Sequence, residues 1–116
     1  MKYIILDLEW DSVFYPPYKR FVNHILQIGA VKLDSQFNVI DTFSRNINAP
    51  YIKKLSKRFT LLTGITIDDM HSGISFEEAV KEYNEFSKDC KITMTWSDSD
   101  LYSILDNQDY ILKKLK

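Results

Sequence analysis

The chain has 116 residues and a mass of 13.7 kDa, a size that suits one domain with a single core and is too small for two. Hydrophobic residues make up 45% and charged residues 27%, with three glycines and three prolines, so disordered, collagen-like and repeat proteins are excluded. The net charge of −1 gives no general reason to expect strong nonspecific binding to nucleic acid. We therefore expect one small globular domain.

Neither a membrane segment nor a signal peptide is indicated. The longest apolar runs, such as residues 3–6, are far shorter than the ~20 residues required to span a bilayer. Asp7 and Glu9 interrupt the N-terminal apolar run before it reaches the length of a signal sequence. The single cysteine, Cys90, cannot form an internal disulfide, which fits a reducing compartment. These features predict a cytoplasmic protein that does not bind a membrane.

Charge is divided unevenly along the chain. Residues 1–58 carry nine basic and five acidic side chains, a charge of +4, whereas residues 59–116 carry six and eleven, a charge of −5. Four basic residues fall within six positions: Lys53, Lys54, Lys57 and Arg58. This cluster is either a solvated helix face or a surface that contacts phosphates, and both interpretations stay open.

The N-terminal half is predicted to form three strands. Residues 2–9 are rich in β-favouring apolar residues with no breaker, which predicts the first strand. Pro16 and Pro17 are incompatible with a central strand or a helix interior, so residues 10–23 are predicted to be an unstructured loop. A second strand over 25–33 and a third over 37–47, joined by a turn at 34–36, complete an antiparallel meander.

Helices and a fourth strand follow. Apolar residues at helical spacing predict a helix from Pro50 to Gly64, which would carry the basic cluster. Ser75 and Glu78 have the spacing of a capping box before a second helix, whose apolar stripe packs on the sheet. Residues 91–96 predict a strand parallel to the first, and a last helical segment follows it. The fold class is therefore α/β, a mixed sheet with flanking helices.

Two acidic residues lie within the first predicted strand. Because side chains alternate along a strand, Asp7 and Glu9 share one face, about 6.6 Å apart at ~3.3 Å per residue. Two acids in an apolar strand are costly unless they are paired or bind a cation, and carboxylate oxygens favour Mg²⁺ or Mn²⁺ over zinc. The alternative is that they are ordinary exposed acids at a strand end.

A third acid follows the fourth predicted strand. If that strand lies beside the first, Asp100 approaches Asp7, and open α/β sheets place their sites at such strand ends. Asp98 competes for this role, although an aspartate before a helix is also a common helix cap.

The chain resembles the DnaQ-like 3′-5′ exonucleases, which have a ribonuclease H-like fold, in four segments. Residues 3–10 (YIILDLEW) resemble the first motif of that family, especially in the branch of RNA-trimming enzymes and inhibitor-of-KinA-pathway proteins. Residues 25–33 (ILQIGAVKL) resemble its second strand, residues 62–66 (LTGIT) its Leu-Thr-Gly-Ile segment, and residues 95–100 (TWSDSD) its second acidic motif. The order and spacing of these segments agree over nearly the whole chain.

The resemblance implies a two-metal nuclease site. By position, Asp7 would bridge two Mg²⁺ or Mn²⁺ ions, Glu9 would bind one of them, and Asp100 would support the second. Two such ions ~3.5 to 4 Å apart activate a water and stabilise the leaving oxygen during phosphodiester hydrolysis. Trp10, Leu62 and Thr63 are expected beside the terminal nucleotide, with contacts that tolerate different bases. The implied partner is the 3′ end of a single-stranded nucleic acid, RNA or DNA.

The family's third motif has no match in these residues. That motif places a catalytic histidine five residues before a fourth metal-binding aspartate, after a fifth strand. Neither His24 nor His71 has an aspartate five residues later; His24 precedes the second strand and His71 lies in a predicted loop, so neither is predicted to be a general base. Tyr102 and Asp106 have the spacing of a related class, but they follow Asp100 too closely for an intervening strand.

These departures lead us to expect a single, incomplete exonuclease domain over residues 1–116, truncated before the last strand and helix. Alone it would be a weak or inactive nuclease, because acid-base assistance contributes ~10² to 10⁴-fold to such rates. A piece of a longer nuclease is favoured over a binding remnant or a chain completed by a partner. A function from another class is a noncatalytic interaction module that forms a homo-oligomer through the surface left open.

Overall fold

A computed structural model describes residues 1–49 and 52–95. Its elements in chain order are β1 (Tyr3–Tyr15), a 3₁₀ turn (Pro16–Tyr18), β2 (Arg20–Leu33), β3 (Val39–Asn46), α1 (Lys57–Thr63), α2 (Ile67–His71), α3 (Phe76–Ser87) and β4 (Ile92–Met94). The predicted last helix, together with Pro50, Trp96, Asp98, Asp100, Tyr102 and Asp106, lies outside the described residues. Within the described part, no helix has the length and apolar character required to cross a membrane.

The four strands form one mixed sheet in the order β3-β2-β1-β4. β2 pairs antiparallel with both β1 and β3, and β4 pairs parallel with β1. The pairing of β4 is short, from Tyr3 opposite Ile92 to Ile5 opposite Met94. The predicted α/β mixed sheet, with three antiparallel strands and then a parallel one, is therefore confirmed.

β1 and β2 continue past their predicted bounds and form a hairpin arm, residues 10–25. The prediction of an unstructured loop over residues 10–23 is wrong, because β1 runs to Tyr15 and β2 begins at Arg20. Pro16 and Pro17 do not interrupt either strand, since they occupy the 3₁₀ turn, where their fixed φ fits and no ladder donor is required. Lys19 closes the turn in the left-handed region, with φ of 52°.

The main core lies between the sheet and α3. Ile4, Leu6 and Leu8 on β1 are 0 to 5% exposed and belong to the same cluster as Phe76 and Ala79 of α3. Ser75 caps α3, because its side chain accepts a hydrogen bond from the Glu78 backbone N–H at 3.1 Å. This helix and its packing on the sheet agree with the prediction. The alternation leaves the opposite face of β1 to Asp7 and Glu9.

A second core cluster depends on an irregularity in the sheet. The pairing register shifts between Glu9 and Trp10, so that Glu9 faces Gln27 and Trp10 faces Ile25. Leu26, which the shift leaves out of the register, is fully buried and packs in the cluster formed with α1 and α2. Such bulges redirect side chains at the rims of sheets. Here the bulge places Leu26 in the core that α1 and α2 share, next to Trp10 in the sheet.

The first helix begins later than predicted. The helix expected from Pro50 starts at Lys57, and residues 52–56 form a nonhelical segment along β1. Ser56 is the N-cap: its Oγ accepts a hydrogen bond from the Phe59 N–H at 3.1 Å. The basic cluster is therefore split, with Lys53 and Lys54 before the helix and only two members on it.

His71 ends α2, so the prediction that it lies in a loop is also wrong.

Gly64 ends α1 in the left-handed region, with φ of 77°, and its N–H donates to the Thr60 carbonyl at 2.8 Å. Among the described residues, no atom lies within 4 Å of an added Cβ, so a side chain here costs backbone strain rather than a clash. We expect Gly64→Ala to lower the free energy of unfolding by about 1 kcal/mol. Urea unfolding followed by circular dichroism measures this, and an unchanged midpoint would contradict it.

Candidate functional site

Asp7 and Glu9 lie on the same face of β1, opposite the face covered by α3. Asp7 is exposed and Glu9 half-buried, whereas Leu6 and Leu8 between and beside them are 4% and 5% exposed. Asp7 faces Gly29 across the β1–β2 pairing. Because cross-strand partners present their side chains on one face, the glycine leaves room beside the Asp7 carboxylate.

The face around Glu9 is polar across three strands. Glu9 pairs with Gln27, and Gln27 pairs with Asn46 on β3. The Gln27 side-chain amide donates to the Asn46 side-chain oxygen at 2.9 Å. This hydrogen bond orients Gln27 beside Glu9, so the acids lie at the edge of an ordered polar row.

The described acids fit a hard divalent cation but do not complete its site. Among residues 1–49 and 52–95, no group of three or more His, Cys, Asp and Glu side chains is placed to hold a metal ion. Asp100, the third predicted ligand, lies outside the described residues. Two carboxylates on one face are the donor type that Mg²⁺ and Mn²⁺ prefer. β4 runs parallel to β1, so the described chain leaves the sheet at Thr95 while running in the direction of Asp7.

A cavity of about 340 Å³, here called the terminal pocket, lies beside Glu9. It is bordered by Trp10 of β1 and by Leu62 and Thr63 of α1, so the structure brings together residues that are far apart in sequence. Leu62, predicted from its spacing to belong to the apolar face of the helix, is 74% exposed. Arg58 of the basic cluster also borders the pocket.

Thr63 uses its hydroxyl group within the fold. The hydroxyl donates to the Phe59 carbonyl at 2.8 Å and accepts from the Ile65 N–H at 3.1 Å. The next turn is held by a capping box in which the Thr66 N–H donates to the Asp69 carboxylate at 2.9 Å, and this bond lowers the pKa of Asp69. Side-chain hydrogen bonds thus hold the segment over residues 62–66, and the Thr63 hydroxyl is already engaged within the fold.

Asp11 is a buried carboxylate that the sequence analysis did not identify. It is 7% exposed, and its two oxygens accept hydrogen bonds from the backbone N–H and the hydroxyl of Ser56, both at 2.9 Å. These bonds hold the start of α1 against β1 and so position one wall of the terminal pocket. Asp11 continues the two-residue spacing of Asp7 and Glu9, which indicates that it shares their strand face. Because residues 10–23 were predicted to be a loop, Asp11 was not considered part of that strand.

Removal of the Asp11 carboxylate should loosen this attachment. We expect Asp11→Ala to lower the free energy of unfolding by about 1 to 3 kcal/mol, because the Ser56 N–H loses its acceptor. Asp41→Ala is the matched control, since Asp41 is exposed and accepts only locally, from the Thr42 N–H at 2.8 Å. Urea unfolding of both variants measures the effect, and equal losses would refute a special role for Asp11.

Sequence comparison identifies relatives among nucleases. The sequence model of the family described as Exonuclease matches residues 4–115. The probable 3′-5′ exonuclease KapD of Bacillus subtilis (strain 168) is 28% identical over 109 residues, which are 90% of this chain and 51% of KapD. The chain therefore spans about half the length of this curated relative.

Solved structures share the fold. The nuclease domain of 3′hExo, a DEDDh family member bound to rAMP, superposes with a TM-score of 0.78 at 24% identity, covering 97% of this chain and 60% of that one. A 3′-exonuclease described by its 3′-end specific recognition of a histone mRNA stem-loop has a TM-score of 0.72 at 25% identity, covering 85% and 37%. The fold is therefore the ribonuclease H-like fold of these enzymes, and the match of nearly the whole chain to the sequence model shows that the chain belongs to the Exonuclease family.

Proposed function

We propose that residues 1–116 form part of a 3′-5′ exonuclease domain that hydrolyses phosphodiester bonds at the 3′ end of a single-stranded nucleic acid, RNA or DNA. The observation that carries this proposal is that Glu9 borders the terminal pocket and shares its face of β1 with Asp7. A carboxylate pair next to a cavity bordered by an aromatic and an apolar side chain suits a terminal nucleotide whose phosphate lies at the acids.

Asp7, Glu9 and Asp100 are the proposed ligands, and Mg²⁺ or Mn²⁺ the proposed ions, because DEDDh exonucleases generally use divalent metal ions and carboxylate oxygens favour these two. Bound divalent ions supply Lewis-acid activation of water and stabilisation of the leaving oxygen. The strand holds Asp7 and Glu9 in a fixed relation, and Trp10 and Leu62 exclude water from one side of the terminal nucleotide. Thr63 orients that nucleotide through its backbone, since its hydroxyl is already used.

We further propose that the 116-residue chain is a weak or inactive nuclease on its own. Its two histidines do not supply a general base at the acids: His24 is buried, 2% exposed, with its Nδ1 at 2.9 Å from the Ile25 carbonyl, and His71 ends α2. A missing general base costs ~10² to 10⁴-fold in rate. A longer chain or a partner would have to provide it.

The test is Mn²⁺-dependent digestion of single-stranded RNA and DNA labelled at either end. Trimming from the 3′ end converts 5′-labelled strands to a ladder and releases a labelled mononucleotide from 3′-labelled strands. We expect traces of this pattern at most, lost in Asp7→Ala, together with measurable Mn²⁺ binding. Efficient trimming would contradict the proposed weakness, whereas a folded chain with neither Mn²⁺ binding nor trimming would contradict the nuclease proposal.

A second candidate function is self-association, which exposed apolar side chains on the sheet favour. Ile5, Ile92 and Met94 are 38%, 42% and 37% exposed on neighbouring strands. A pairing of two copies through this region would cover them. Light scattering after size-exclusion chromatography tests it: a dimer that grows with concentration supports the candidate, and a monomer at high concentration contradicts it.

A further inference from the structure

The hairpin arm carries an exposed aromatic pair that the proposed nuclease site does not use. Phe14 of β1 and Phe21 of β2 are directly paired and are 52% and 64% exposed. Their ring centroids lie 5.5 Å apart at an interplanar angle of 67°. Exposed aromatic rings beside a basic surface are the platforms on which unpaired nucleobases stack.

A groove of about 300 Å³, here called the arm groove, is bordered by Phe14 of this pair and adjoins the terminal pocket. One side is formed by β1 from Asp11 to Phe14 and the other by the segment that contains Lys53 and Lys54. The arm groove and the terminal pocket share Asp11, Ser12 and Ser56 as lining residues. The two are therefore parts of one continuous surface.

The arm groove is positively charged. Lys53 and Lys54 are exposed at its border, and in the described part of the chain no ion pair engages either of them. Asp11 is the one acid among its described lining residues, and its oxygens already accept hydrogen bonds from Ser56. Residues 12–23 and 53–58 together carry six basic side chains and no acidic one, against a net charge of −1 for the whole chain. This distribution attracts a phosphate backbone.

If the proposed function holds, the position of the arm groove determines which nucleic-acid strand it can bind. A strand with its cleaved phosphate at Asp7 and Glu9 and its last nucleotide at Trp10 ends in the terminal pocket. Phe14 lies five residues beyond Glu9 along β1, about 16 Å at ~3.3 Å per residue. If the trimmed strand reaches the acids from the side opposite the arm, the arm groove lies past its 3′ end, where a complementary strand can continue. We propose that the arm groove binds the unpaired 5′ overhang of a complementary strand, so that this site accepts a recessed 3′ end in addition to the single-stranded 3′ end of the proposed function.

The test measures fluorescence anisotropy with Ca²⁺ in place of Mg²⁺ to prevent cleavage. The probes are a labelled single strand, a blunt duplex, and the same duplex with a recessed 3′ end and an unpaired 5′ overhang. The variants are Phe14→Ala and, separately, Lys53→Ala with Lys54→Ala. The charge-matched control is Lys81→Ala with Lys91→Ala, since these exposed lysines do not border the groove.

We expect each groove variant to weaken binding of the overhang duplex about 10-fold relative to wild type, with the single strand and the blunt duplex unchanged. The lysine pair should also reduce the slope of log affinity against log salt by about 1.4 for the overhang probe. An equal loss for the single strand would place the trimmed strand in the groove and overturn the inference, as would an absence of any loss. If the wild-type chain binds none of the three probes, that result would instead count against the proposed function.

Discussion

Replacement of Asp7 by alanine is expected to abolish Mn²⁺ binding by this chain and any 3′-end trimming that depends on it. Asp7 and Glu9 share one face of β1, whereas the Asp11 carboxylate is already bonded to Ser56, so a divalent ion held by Asp7 and Glu9 would lose one of its two described ligands. We expect the Mn²⁺ affinity to fall more than about 100-fold, a larger loss than supporting residues around metal sites cause. Electron paramagnetic resonance of free Mn²⁺ measures the affinity directly.

The control for this experiment is Asp41→Ala. It removes the same charge from an exposed position on β3, opposite Lys32 and away from the face of Asp7. A general electrostatic effect of the lost charge would weaken Mn²⁺ binding equally in both variants. Unchanged Mn²⁺ affinity in a folded Asp7→Ala variant would eliminate the proposed metal site, whatever the nuclease assay shows.

A side chain at Gly73 is expected to destabilise the fold by about 3 kcal/mol, more than any other glycine substitution in the described part of the chain. An added Cβ would lie 2.4 Å from the carbonyl oxygen of Asn46. The backbone cannot simply withdraw, because the Ile74 N–H donates to that same oxygen at 3.0 Å and the Ile74 carbonyl accepts from the Asn48 N–H at 2.7 Å. These bonds connect the start of α3 to the end of β3.

Urea unfolding of Gly73→Ala beside Gly64→Ala separates the two kinds of cost. The first substitution creates a steric conflict with a fixed backbone, and the second only strains a helix end in open space. If Gly73→Ala lowers the free energy of unfolding no more than Gly64→Ala does, the backbone between β3 and α3 can shift to accommodate the added Cβ. The side chain of Asn46 also holds Gln27 beside Glu9, so a shift of Asn46 should disturb the polar row as well.

The parts of the fold that sequence could predict are those governed by local alternation and capping. The apolar alternation around Asp7 and Glu9 predicted both the strand and the face of its acids, because one face of that strand is packed against α3. Ser75 and Gly64 were predicted as helix boundaries, since Ser75 acts through its own side chain and Gly64 through its own backbone conformation. The family and the parallel fourth strand were also predicted correctly.

The errors arose where a tertiary contact decides the local structure. Two prolines near residue 16 led to the prediction that no strand passes through this region, but they occupy only the turn. The strands on either side of the turn are stabilised by the packing of Tyr15 against Val22. The first helix was expected at Pro50, but Ser56 caps it because Asp11 on β1 holds Ser56 in place. A local sequence pattern cannot predict a hydrogen bond or packing contact with a residue that is distant in sequence. The roles of Asp7, Glu9 and Asp100 as ligands, and of Trp10, Leu62 and Thr63 at the nucleotide, stay predictions.

The short parallel pairing of β4 has a consequence for the order of folding. β1 and β2 are joined by a tight turn, so their ladder closes a small loop, whereas Tyr3 and Ile92 meet only after nearly the whole described chain has been enclosed. Local pairings form first and distant ones late. We therefore expect the arm and meander to form early and β4 to dock last, held by the ion pairs of Asp89 with Lys2 and Lys32 at 2.6 and 3.0 Å. Amide exchange in β4 should accordingly be faster than in the centre of β1, which makes the edge next to Asp7 the last part of the sheet to become ordered.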